Sequence, residues 1–188
     1  MLQVSFSHKQ SSNRKGVVFT DTTGAYDVVS NPDGYGTPNA TIAQISQATL
    51  YITDTGGTLH TVNVYPTFPS AVDGTFTVNN TDLGLASDVL LPDGFYNVRF
   101  EVQGTTGTQN GVLSSVTKRI LLSGGVECCV RKMAAKGDCN CKKPQAVDAR
   151  MMYEAMILSA ENCDETCAQK ILTELQRMCN KNCNCNGL

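Results

Sequence analysis

The chain has 188 residues, of which 17% are charged, and a formal net charge of −2. That length accommodates one sizeable domain, or one domain of common size with a small appendage. Six basic and nine acidic residues up to Gly124, and nine basic and eight acidic after it, leave neither part with a cationic stripe, so no nucleic-acid partner is expected.

Cysteine usage divides the chain. All nine cysteines lie between Cys128 and Cys185, and none precedes them. The composition changes near Gly124-Gly125, which predicts a β-sandwich domain over 1–123 and a helical, Cys-rich region over 124–188. The first residues, Met-Leu-Gln-Val-Ser-Phe-Ser-His-Lys, hold no apolar core of signal-peptide length, and no run approaches the roughly 18 apolar residues of a membrane span. No membrane contact is expected, and synthesis in a cytoplasm would keep the thiols reduced.

Strands are predicted at Leu2 to Ser7 and at Gly16 to Thr20. A long loop over 21–40 follows, rich in turn formers and carrying Tyr26 and Tyr35. Loops of this length are uncommon without a role, so the two tyrosines are interface candidates, against the plainer alternative of a loop packed on its own domain. Ala48 to Ile52 runs through Asp54-Thr55-Gly56-Gly57 and returns as Leu59 to Tyr65, a hairpin signature. His60 shares a face with Val62 and Val64, and neither it nor His8 has a cysteine or histidine at ligand spacing, so both read as structural.

Thr75 to Val78 is the next strand. The clearest is Phe95 to Val102, with Tyr96, Val98, Phe100 and Val102 on one face and Asn97, Arg99 and Glu101 on the other. It opens at the turn formers Pro92-Asp93-Gly94. After a turn over Gly104 to Gly111, Val112 to Leu122 completes about seven short strands. Their spacing predicts an all-β antiparallel sandwich of immunoglobulin or fibronectin type, without the inter-sheet disulfide because no cysteine is available there.

Three helices are predicted beyond it: Val126 to Lys136 ending at Gly137, Gln145 to Ala160, and Asp164 to Lys181. The second carries Ala149, Met152, Tyr153, Met156 and Ala160 on one stripe. The third carries Ala168, Ile171, Leu172, Leu175, Met178 and Cys179 on another. The last two form an antiparallel hairpin by their short link, and Leu172, Leu175 and Met178 are its interface candidates.

Both hairpin helices span about 24 to 26 Å at 1.5 Å per residue, so Cys139-x-Cys141 enters the hairpin at the end where Cys183-x-Cys185 leaves it. These four thiols are the candidate ligands of a structural zinc, with Cys179 in reserve. Free packed thiols and disulfides are the alternatives, and the spacing does not choose among the three. Cys163-x-x-x-Cys167 with Cys179-x-x-x-Cys183 mimics a disulfide-linked helical hairpin, but the residues between hold no turn signal, which puts both pairs on one helix. Cys128 and Cys129, adjacent, point to different faces and read as packing or interface thiols. The sequence contains no phosphate loop, zinc-protease motif or serine elbow, and no enzyme activity is expected.

Asp-Thr-Thr-Gly-Ala-Tyr at 21–26 and Asn-Pro-Asp-Gly-Tyr-Gly-Thr-Pro-Asn at 31–39, with a β domain and this Cys-rich tail, resemble virion proteins of tailed phages infecting Bacteroidetes, including the crAss-like group. The resemblance spans most of the chain and implies no catalytic residue. It implies a virion localisation and a structural subunit of a neck, head-tail connector or tail ring. Its partners would be identical subunits in a ring and neighbouring portal or tail proteins. The rival expectation is a receptor- or glycan-binding adhesin or fibre-associated protein that uses the sandwich loops.

Overall fold

Apolar and polar residues alternating at period two produce the strands of the first part of the chain, and a 3.6-residue periodicity produces the helices of the second. The computed structural model describes residues 6–21, 45–65, 75–106, 109–134, 143–162 and 164–182. Among these the strands are β1 (Phe6–Gln10), β2 (Gly16–Asp21), β3 (Ile45–Thr53), β4 (Leu59–Asn63), β5 (Thr75–Asn79), β6 (Gly94–Thr106) and β7 (Gln109–Leu122). The helices are α1 (Gly124–Ala134), α2 (Lys143–Glu161) and α3 (Glu165–Asn182). The chain divides into two compact units, Met1–Leu91 with Phe95–Ile120, and Pro92–Gly94 with Leu121–Leu188.

The first unit is built on two sheets, one of three strands in the order β1-β2-β5 and one of four in the order β4-β3-β6-β7. The resolved pairings of β1 with β2, β2 with β5, β3 with β4 and β3 with β6 are all antiparallel. Register follows the buried face: Val17 opposes Val78 and Phe19 opposes Phe76 in one sheet, while Leu50 opposes Phe100 and Ile52 opposes Val98 in the other. The aromatic core runs through both. Phe19 meets the rings of Phe6 and Phe76 at 5.5 Å each, and Phe76 meets Phe100 of the second sheet at 6.0 Å.

The alternation read in β6 holds on its inner side, where Tyr96, Val98, Phe100 and Val102 are all buried. On the outer side Asn97 and Arg99 are exposed but Glu101 is buried. Arg99 Nη1 donates to it at 3.0 Å and Gln103 Nε2 at 2.7 Å, so its charge is paired by one neighbour and hydrogen-bonded by the other. The arginine also stacks on Tyr51 at 4.0 Å. The expected turn over Gly104 to Gly111 is shorter than predicted. β6 continues to Thr106 and β7 begins at Gln109, because β-branched Thr105 and Thr106 extend the strand past the glycine.

The β3–β4 hairpin closes on Asp54. Its Oδ1 accepts from the amides of Gly56 and Thr58 at 2.9 Å, and its Oδ2 accepts from His60 Nε2 at 2.9 Å. Gly57 takes φ +87°, the left-handed conformation that the turn requires. These bonds, led by that from His60, hold the Asp54 carboxyl below its ordinary value. A depressed folded pKa stabilises the folded state above the unfolded pKa, and the benefit disappears as pH falls through the folded value. Asp54→Asn should therefore be less stable than wild type at neutral pH by about 1–2 kcal/mol. The gap should narrow below about pH 4. Paired urea titrations across pH 2–7 read that difference, and a gap independent of pH would refute the assignment.

Between β5 and β6 the chain makes a 3-10 turn at Asn80–Leu83, closed by Gly84 at φ +69°. Asn80 is buried, with its amide donating to the carbonyls of Ala86 and Val89. Its backbone N–H donates to Lys15 O, and Leu91 N–H donates to Arg14 O, which ties the long segment before β6 to the β1–β2 turn.

Candidate functional site

The second unit holds the chemistry that the sequence singled out. Its first helix starts two residues earlier than predicted, at Gly124, because Asp93 supplies the cap. Asp93 Oδ1 accepts from Gly125 N–H at 2.8 Å and Oδ2 from Val126 N–H at 2.7 Å, so a carboxylate answers two orphan donors at the positive end of α1. Glycine at 125 makes room for that approach: a Cβ there would lie 2.5 Å from Asp93 Oδ2, and the carboxylate would have to shift. Ser123 and Tyr153 hydroxyls meet at 3.3 Å, and burial raises the tyrosine pKa above its usual value.

Helices α2 and α3 fold back on each other through a three-residue link. Asp164 caps α3 as predicted, with Cys167 N–H donating to Oδ1 at 3.0 Å. The third-helix stripe is internal: Ala168, Leu172, Leu175 and Cys179 are buried, and Met178 is half-buried. Of the interface candidates, then, Leu172 and Leu175 face their own helical unit. Tyr26 and Tyr35 lie outside the described residues. So do all four candidate zinc ligands, Cys139, Cys141, Cys183 and Cys185.

The cysteines that the structure does join are Cys129 and Cys179, in a disulfide between α1 and α3. This corrects the reading of Cys129 as a packing thiol and of Cys179 as a reserve metal ligand. Connectivity of this kind has no spacing signature, since the partners sit on separate helices 50 residues apart. Closing a loop of that length stabilises the folded chain by about 4 kcal/mol on the chain-entropy account. Cys128 and Cys167 are free and half-buried. Among the described residues no group of three or more His, Cys, Asp or Glu side chains is placed to hold a metal ion.

A feature that the sequence reading passed over lies on α2. Its inner face buries Ala149 and Met156, as the stripe predicted. Its outer face carries Met151 at 64% and Leu158 at 59% exposure, with exposed Ala155 between them. Spacings of four and three residues align these on one side of the helix, beside the Arg150–Glu154 ion pair at 3.0 Å. Apolar residues thus stand on both sides of α2, one set buried and the other exposed. Glu127 with Arg131 and Glu174 with Arg177 form comparable surface ion pairs on the other two helices.

No protein-family model matches the chain, and no curated protein matches it. Among the described residues no helix is long and apolar enough to cross a membrane.

Proposed function

We propose that the chain is a structural virion protein of a tailed phage, a subunit of a neck, head-tail connector or tail ring that works by assembly. The observation that carries the assembly part is the second apolar face of α2, where Met151, Ala155 and Leu158 stand exposed on a helix whose opposite side is already buried. Large apolar side chains gathered on one helix face gain about 25 cal/mol per Å² when a partner covers them. The phage part rests on the resemblance of the segments at 21–26 and 31–39. Identical subunits and neighbouring portal or tail proteins are the partners this function requires. The two sheets fit an immunoglobulin or fibronectin-type sandwich as the ring body, a form supported by the Phe76–Phe100 contact between them.

The test is native mass spectrometry and sedimentation of the full chain beside the double variant Met151→Gln, Leu158→Gln. Wild type is expected to form a discrete oligomer in the micromolar range. The variant is expected to stay monomeric and, at concentrations where wild type is also monomeric, to unfold within about 0.5 kcal/mol of it, as exposed substitutions do. A wild-type chain that is monomeric throughout that range would overturn the ring, and an oligomer insensitive to both substitutions would move the contact off α2.

A further inference from the structure

We infer that the Cys129–Cys179 bond is a redox latch on the helical unit: closed, it fixes α3 against α1, and opened, it leaves α3 held by packing alone. The packing puts it where such a latch is needed. α2 packs along both of its neighbours, whereas α1 and α3 meet over the shortest stretch of the three helix pairs. The covalent bond therefore spans the pair with the weakest non-covalent hold.

Burial makes the latch slow to exchange once it is shut. Cys129 is 1% and Cys179 9% exposed, so a thiol in solution reaches the bond only after α3 lifts. The pairing is also specific. Cys128 is turned about 100° around α1 from Cys129, and it stays free and half-buried, as does Cys167. Neither thiol substitutes for the bonded pair.

Closure is a two-electron oxidation by a low-molecular-weight disulfide such as oxidised glutathione. The Cys129 thiolate attacks that disulfide and releases one glutathione thiolate, and the Cys179 thiolate then displaces the second from the mixed disulfide. The two thiol protons pass to the two glutathione molecules. A dithiol such as dithiothreitol reverses the exchange, returning both cysteine thiols and leaving as its own cyclic disulfide.

The latch governs the face of α3 that carries Ala168, Leu172 and Leu175. With the bond shut these side chains stay in their own unit, and with it open they are held by packing alone. In a ring subunit the open form can lend that stripe to a neighbour. That last step rests on the assembly function, whereas the latch does not.

Hydrogen exchange of the full chain, after treatment with oxidised glutathione or with dithiothreitol, tests the inference. After oxidation, digestion should yield peptides 120–131 and 178–181 joined through Cys129, and amides from Ala168 to Cys179 should exchange at least about tenfold more slowly than after reduction. Cys129→Ser should exchange at the reduced rate under both conditions, and Cys128→Ser should keep the full contrast. Equal rates in oxidised and reduced wild type, or a link through Cys128, would overturn the latch even if the Cys129→Ser variant failed to fold. Native mass spectra of the same samples decide the separate step: an oligomer identical in both redox states removes the lending of the stripe and leaves the latch standing.

Discussion

Phe19→Ala is expected to destabilise the two-sheet unit by about 3–5 kcal/mol, the range for emptying a buried aromatic site. Phe19 is fully buried on β2, the central strand of the three-stranded sheet, and its ring lies between Phe6 on one neighbour and Phe76 on the other. Phe76 passes the contact on to Phe100 in the second sheet, so the cavity opens in the middle of a chain of rings. The cost should therefore exceed the simple loss of apolar area, because three surrounding strands cannot collapse inward together without breaking register. Urea unfolding followed by circular dichroism measures it. A double-mutant cycle with Phe76→Ala should return a coupling of about 0.5–1.5 kcal/mol. Val112→Ala, at a position 56% exposed, is the control and should change stability by no more than about 0.5 kcal/mol. A Phe19→Ala loss as small as that of Val112→Ala would mean that the ring cluster does not form the core.

Local pattern carried the strands and helices into view because each depends on residues near one another. In β6, alternate burial of Tyr96, Val98, Phe100 and Val102 is fixed by the pleat itself. Asp164 could be read as a cap because its donor is only three residues away. What stayed hidden depends on pairs far apart in the chain. Gly125 reads as a plain breaker until Asp93, 32 residues earlier, is seen against it. The Cys129–Cys179 bond, 50 residues apart, is invisible for the same reason. The outer face of α2 differs, since Met151, Ala155 and Leu158 have a legible spacing. It was masked by a stronger stripe on the same helix, and a helix read for one apolar face gives up its second only when burial separates the two.

That separation makes Leu175 the sharpest discriminator between core and interface in the helical unit. Sequence pattern alone makes Leu175 an interface candidate, yet the side chain is fully buried between helices of its own unit. Leu175→Asp removes a buried isobutyl group, worth about 2–5 kcal/mol, and places a carboxylate in a fully buried site. The expected loss is more than about 4 kcal/mol, enough to match the loop-closure contribution of the disulfide and to melt α1, α2 and α3 together. Circular dichroism at 222 nm should show helix lost at every protein concentration, in oxidised as well as reduced chain. An interface residue would behave otherwise: the single chain would keep its helices, and only the oligomer would disappear, at low concentration first. That second pattern is the one expected of Met151→Gln, Leu158→Gln on the outer face of α2. The two sets of substitutions therefore separate a stripe that holds the unit together from a stripe that holds units to each other, and an exchange of their outcomes would reverse the assignment of the two faces.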